Sequence, residues 1–195
     1  IFRLLKKSKA ADVFSYLSSA KGVELLEVFS RQQLSDVMNN LEPDERVALM
    51  EELPGDLTQK VLNSMAKDDI AQIRRLLGYP AESVGRLMTT NYVRIKSDWT
   101  VNKSFEHIRK YGRNAETVNV IYVVDEDEKL IDDLRLNQFI LAEPDTVISD
   151  IMDNSFEALS AFDDQEEAVR MLSKYDRVAL PVVDSGGILV GIVTV

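Results

Sequence analysis

Cysteine is absent from the 195 residues and histidine occurs once, at His107. The first absence excludes a disulfide framework, a thiol nucleophile and a thiolate metal site, and suits a reducing compartment. The second removes most zinc-ligand and imidazole general-base chemistry. Long apolar runs are missing as well. The most apolar window, Ile188 to Val193, spans six residues, whereas a bilayer-crossing helix needs roughly 20. No phosphate loop and no nucleophile beside a base is arranged anywhere, so an enzyme is not expected. Positive charge is in deficit: 23 basic against 33 acidic residues give a net charge of −10. Such a surface repels nucleic acid and anionic lipid and attracts cations. The chain starts at Ile1 with no basic-then-apolar leader, which reads as a fragment without a signal peptide.

What remains is ordinary folded-protein composition, 45% hydrophobic and 29% charged, in a length that suits two modest domains. From Ile1 to about Leu77 the text reads as short helices broken by proline and glycine. In LEPDERVALMEELPGD the apolar positions Val47, Leu49, Met50 and Leu53 follow helical spacing, Pro43 sits where a first turn accepts it, and Pro54-Gly55 ends the helix. LTQKVLNSMA sets Leu57, Val61 and Met65 on one face; DDIAQIRRLLGYP sets Ile70, Ile73 and Leu77 before a Gly78 stop. Helices this short must stack on one another, as in a superhelical array.

After Pro80 the texture changes to β-branched runs alternating with single helices. YVRIKSDWTVNKSFEHIRKYG reads as a strand and then a helix capped at Thr100, with Val101, Phe105 and Ile108 inward; NVIYVVDEDEKLIDDLRL reads as strand, acidic turn, strand. The order then repeats. Val123-Val124-Asp125 recurs as Val182-Val183-Asp184, 182 − 123 = 59 residues later, which implies two copies packed about a pseudo-twofold axis.

These copies resemble a tandem pair of cystathionine-beta-synthase (CBS) domains. Leu87-Met88-Thr89 and Ile151-Met152-Asp153 open them; Leu180-Pro181-Val182-Val183-Asp184 with Gly187, Leu189, Gly191, Ile192, Val193 and Thr194 closes the second. Joined to the acidic helical array through LLGYPAESVGRLMTT, and carrying IYVVDE and DQEEAVRMLSKYD, the chain resembles over essentially its whole length the cytosolic part of an MgtE-type magnesium channel or transporter. The resemblance implies a right-handed superhelical N domain over 1–80, a first CBS domain over 81–143 and a second over 144–195, each CBS copy a β-α-β-β-α unit. It also implies that the chain is cut in a strand-to-helix connection ahead of a membrane pore domain, that it lies on the cytoplasmic side of the cell membrane, and that it forms a homodimer through its CBS domains.

Magnesium is the implied ligand, with Asp44, Gly85, Asp164, Glu166, Ser173 and Asp176 as the implied site residues, Ser173 through its carbonyl. Magnesium keeps several waters and needs only one or two carboxylates per site, so facing acids suffice. Each acid also has a local reading. Asp44 and Glu45 lie where acids complement the helix dipole. Asp163 or Asp164 with Glu166 or Glu167 makes an Asp-x-x-Glu cap. An aspartate at a helix C-terminus opposes the dipole, which favours a functional role for Asp176. DEDEKLIDD is the densest acidic stretch, yet it lacks the spacing and glycine of a calcium loop and reads as a solvated hairpin. His107 is assigned to helix packing and Trp99 to the surface.

One departure bears on ligands. At the 59-residue offset Asp132 faces Gly191 and Asp133 faces Ile192. Beyond them the first copy has Asn137-Gln138, where nucleotide-holding CBS copies place a serine or threonine and an aspartate for the ribose; the second copy's counterpart lies past Val195. The expected function is a magnesium sensor that closes a pore when the ion bridges acidic faces of the N and CBS domains. The alternative is an adenine-nucleotide-binding CBS module.

Overall fold

The computed structural model describes residues 13, 14, 17 and 19–195. The part of the expected helical array that falls on residues 1–12, 15, 16 and 18 lies outside the described residues. The chain divides into two compact units between Gly78 and Tyr79.

In the N-terminal unit α1 (Ser19–Val28), α2 (Arg31–Met38), α3 (Pro43–Glu52), α4 (Gly55–Leu62) and α5 (Lys67–Leu77) follow one another through short turns. Stop and start signals are local. Ser30 Oγ accepts from the Gln33 N–H while Gln33 Oε1 accepts from the Ser30 N–H, a capping box at the head of α2. Pro43 occupies the first turn of α3. The helices then stack alternately, α2 on α4 and α3 on α5, burying Leu34, Val37, Met38, Val47, Leu57, Val61, Ile73 and Leu76. Carbonyls left open at helix ends are met by long side chains: Arg31 donates to the Asn63 carbonyl at 2.7 Å, Lys60 to Glu27 at 2.8 Å and Arg46 to Leu41 at 2.8 Å. α3 ends at Glu52, ahead of Pro54-Gly55 as expected, and Gly55 itself is the first residue of α4 with Pro54 as its N-cap. Two local expectations shift by a residue or more. α4 ends at Leu62, before Met65. In α5 the fully buried position is Leu76, with Leu77 only half-buried, because 3.6 residues per turn bring Ile73 and Leu76 inward together.

The second unit opens with the single turn α6 (Val84–Leu87) and then shows the repeat. The first copy contains β1 (Arg94–Lys96), α7 (Val101–Tyr111), β2 (Val120–Val124), β3 (Leu130–Arg135) and α8 (Leu136–Leu141); the second contains β4 (Leu159–Ser160), α9 (Gln165–Tyr175), β5 (Ala179–Val183) and β6 (Leu189–Thr194). Each sheet has three strands in sequence order, the first parallel to the second and the second antiparallel to the third. The correspondence reaches single residues. Val123 pairs with Asp132 and Val182 with Gly191, and the register shifts at Val123/Val124 in one copy and at Val182/Val183 in the other. Both hairpin strands β2 and β5 are almost wholly buried, as continuous β-branched runs require.

The copies join through their sheets. Val120, Tyr122, Val124 and Leu130 of the first form one apolar cluster with Leu189 and Ile192 of the second. The two hairpin turns also bond across: the Leu130 N–H donates to Gly187 O at 3.0 Å and the Leu189 N–H to Glu128 O at 3.1 Å. A separate cluster under α7 and α8 takes Val101, Ile108 and Phe139. Trp99 departs from its surface assignment: it is half-buried, lies edge-on to His107 at 5.1 Å and carries Lys103 over its ring at 4.4 Å.

Candidate metal sites

The acids named from sequence fall in three places. Asp44 lies in the first turn of α3 beside Glu45, whose carboxylate accepts from the Glu42 N–H at 3.0 Å. Glu45 thus does the capping and Asp44 does not. Burial pushes the Asp44 carboxyl above the usual carboxylate range, and the Glu42 charge adds to this, against the pull of the Asp44 and Glu45 amides.

Asp164 and Glu166 stand exposed at the head of α9, with Asp164 as its N-cap, accepting from the Glu166 N–H at 2.8 Å. The capping reading of Asp164 therefore holds. One bond to a single oxygen leaves the second oxygen of Asp164 and the whole Glu166 carboxylate available. Glu167 is engaged elsewhere, gripping Arg170 at 2.6 and 2.9 Å.

Ser173 and Asp176 lie at the other end of the helix, both exposed. Asp176 is the C-cap, in the left-handed conformation at φ 49° and ψ 48°, with its N–H bonded to Leu172 O. This revises the dipole argument. Aspartate, asparagine and glycine are the residues that enter the left-handed region most readily, so the backbone here selects a short polar residue despite the dipole. Among the described residues none pairs with its carboxylate. The twelve residues from Asp164 to Asp176 at 1.5 Å each separate the two groups by about 18 Å, too far for one ion whose ligands all lie about 2.1 Å from it.

Gly85 is present for a packing reason. Its N–H donates to Ala161 O at 2.9 Å, and a Cβ would come 2.5 Å from Tyr79 Cγ and 2.8 Å from Ala161 O. The surrounding bonds, Val84 N–H to Asp163 O at 2.8 Å and Gln165 N–H to Glu82 O at 2.8 Å, zip residues 82–85 along the turn that presents Asp164. Gly85 and Asp164 are thereby brought together, whereas Ser173 and Asp176 are held apart from them. Among the described residues no three acidic or histidine side chains converge on a point that could hold a metal.

The acidic hairpin turn folds onto itself. Asp125 Oδ1 accepts from the N–H groups of Asp127 and Lys129, both at 2.9 Å, and Glu128 pairs with Arg94 at 2.6 Å and Lys96 at 2.8 Å.

Sequence reasoning placed Asp132 and Asp133 opposite Gly191 and Ile192 but gave them no role. Asp132 is fully buried and accepts from three backbone amides: its neighbour Asp133 at 2.8 Å, Asp153 at 3.0 Å and Asn154 at 3.1 Å. Asp133 meets Arg177 at 3.2 Å across the copies, with side chains 4% and 15% exposed; its other oxygen, like the nearby Tyr122 hydroxyl, is buried with no hydrogen-bond partner among the described residues. Burial pushes the Asp133 carboxyl up, against the opposing pull of the Arg177 guanidinium. The same burial, with the Asp133 charge, pushes the Tyr122 phenol up. The signal was available: two adjacent acids set between Leu130-Ile131 and Leu134 in a strand require a partner once buried.

The known proteins agree with this architecture. The MgtE intracellular N domain matches residues 1–82, and the CBS domain matches 84–136 and 148–195. The chain belongs to the MgtE family. It is 35% identical over 158 residues to the magnesium transporter MgtE of Bacillus subtilis (strain 168), covering 81% of this chain and 35% of that protein. It is 35% identical over 204 residues to the magnesium transporter MgtE of Thermus thermophilus, covering 100% of this chain and 44% of that one. The chain thus spans less than half the length of these curated relatives. Among solved structures, the cytosolic domain of the Mg2+ channel MgtE in complex with ATP superposes with a TM-score of 0.94 at 34% identity, covering 99% of this chain and 79% of that one. The soluble part of a magnesium transporter gives 0.91 at 28% identity, covering 100% and 77%. In this chain no described helix is long and apolar enough to cross a membrane.

Proposed function

We propose that this chain is the magnesium-sensing regulatory region of a magnesium transporter or channel, acting as a homodimer on the cytoplasmic side of the membrane and closing its own pore domain when Mg2+ bridges acidic faces of the N and CBS domains. The observation that carries this reading is the state of α9. It presents exposed acids at both ends, Asp164 with Glu166 and Asp176 near Ser173, yet no described group of three acids could complete a site on its own. Half-built sites suit an ion that keeps its waters and takes its remaining ligands from an opposing surface. Asp44 supplies such an acid in the N-terminal unit. Bare, facing carboxylates a few ångströms apart cost on the order of 1–4 kcal/mol each, and a divalent ion removes that cost. Since a ligand shifts an equilibrium only by its differential affinity for the two states, it is bridging sites that make the switch.

Small-angle scattering and limited proteolysis test this. Millimolar Mg2+ is expected to make the chain more compact and more protease-resistant than chelator does, and Glu166→Ala with Asp176→Ala to blunt that response. An unchanged scattering radius between chelator and Mg2+ overturns the reading.

A second reading, adenine-nucleotide binding by the CBS pair, draws on the related cytosolic domain solved in complex with ATP. In this chain the implied ribose aspartate is replaced by Gln138, whose Oε1 accepts from the Arg135 N–H at 2.7 Å. Calorimetric titration with ATP or AMP separates the two readings.

A further inference from the structure

The pair Asp133–Arg177 is an addition that the repeat does not require. At the strand offset of 59 residues its sister positions are Ile192 and Val118, so the corresponding junction on the other side of the pseudo-twofold has no charge. On this side a carboxylate on β3 of the first copy takes Arg177 Nη1 at 3.2 Å, both side chains being largely buried. Arg177 directly follows Asp176 in the chain, and its own N–H is bonded to Leu172 O at 3.0 Å, so both residues belong to the tight turn that ends α9. The guanidinium is held by Asp133 inside the fold, and Asp176, one position before Arg177 in the chain, is the acid that a guanidinium released from Asp133 would meet at the surface. Bound to Asp176, it would neutralise the acid and occupy its oxygens, since arginine and a metal ion compete for the same lone pairs.

We propose that Asp133 draws the Arg177 guanidinium inward, away from Asp176, and so keeps the Asp176 carboxylate open to a divalent cation. Asp133 is then a positioning residue for the Ser173–Asp176 end of α9. The inference rests on the magnesium reading above. It requires no contact between Asp133 and the ion: the effect passes through the location of one positive charge.

The helix carries its own control, because Asp164 and Glu166 lie about 18 and about 15 Å from Asp176, at the other end. The test is a Mg2+ titration of the whole chain followed residue by residue through its backbone amides in NMR spectra. Asp133→Asn releases the guanidinium and is expected to weaken the Mg2+ midpoint at Ser173 and Asp176 about three- to tenfold, the size of a nearby surface charge, while the midpoint at Glu166 stays put. The double change Asp133→Asn with Arg177→Gln removes the competing charge and is expected to restore the wild-type midpoint. Asp133→Glu, which keeps the charge, is expected to behave as wild type.

No Mg2+ response at Ser173 and Asp176 in the wild-type chain overturns the magnesium reading itself. A wild-type response that Asp133→Asn leaves unchanged, or that the double change does not restore, overturns the positioning role alone. Equal weakening at both ends of α9 also overturns it, since a loss of structure would not choose one end. Should Asp133→Asn not fold, Arg177→Gln decides: its midpoint at Asp176 must equal or improve on wild type, and a weaker one overturns the proposal.

Discussion

The two CBS copies share strand order, register and even the place of a bulge, yet they receive the neighbouring backbone in opposite ways. Thr89, at the entrance to the first copy, exchanges two 2.9 Å backbone hydrogen bonds with Ile192 on β6. That approach is possible because residue 191 is glycine: a Cβ there would lie 2.5 Å from Met88 Sδ and 2.9 Å from Thr89 O. At the entrance to the second copy, Asp153 and Asn154 meet β3 instead through the Asp132 carboxylate, which stands where Gly191 stands and accepts both amides. One contact is backbone on backbone, and the other is spaced by a side chain. The same fold position therefore takes a glycine or a buried aspartate, according to how close the facing chain comes and whether it offers N–H groups.

Exchanging residues between copies breaks this comparison. The largest effect is expected from Gly191→Asp, which places the first copy's residue in the second: overpacking and an unpaired buried carboxylate together should cost about 4 kcal/mol or more, read as a lower urea midpoint or loss of soluble protein. A smaller loss, about 3 kcal/mol, is expected for Arg177→Val alone, because it leaves Asp133 buried without its cation. Adding Asp133→Ile to that variant makes the junction match its apolar sister and should bring urea stability back to within about 1 kcal/mol of wild type. If the single and double variants are equally unstable, the pair supports the fold in a way its sister does not.

The smallest effect sharpens the comparison through pH. The folded chain holds the Asp133 proton more tightly than the ordinary value of 3.8, so between 3.8 and that raised value the folded state binds more protons than the unfolded one. Stability contributed by this group is present below the window and falls as pH rises through it. The urea midpoint of wild type should accordingly decline relative to that of the chain carrying Asp133→Ile with Arg177→Val across that window. A constant difference between the two would mean that Arg177 already holds Asp133 ionised throughout.

Much of the architecture was legible in local pattern. The strands β2 and β5 show in their β-branched runs, the Thr100 cap accepts from the Lys103 N–H at 3.2 Å as its position before an apolar-periodic stretch implies, and the dense acidic turn folds as a hairpin closed by Asp125. The candidate acids were legible only as residue types. Asp164 could be read as a cap from its spacing to the helix. Asp176 could not be read as a left-handed C-cap, because the three residues from it to β5 are shared between helix end and strand start. The first copy shows no such cap: α7 ends at Tyr111, its C-cap Gly112 has φ −73° and the chain runs on into a 3-10 turn, with five more residues between helix and strand than the second copy has. Gly85 was marked for metal, and its close approach to Ala161, 76 positions away, is what the fold adds.

By itself the sequence determined the helical array, the two copies and their hairpins, because apolar periodicity, capping residues and an internal repeat act over a few residues at a time. The tertiary structure alone decided which acids are solvated and which are locked inside. Asp132 finds its amides 21 and 22 positions away and Asp133 its arginine 44 positions away, and the ionisation of a carboxylate depends on the water removed from it and the charges brought near it, both of which exist only once the two copies have closed on each other.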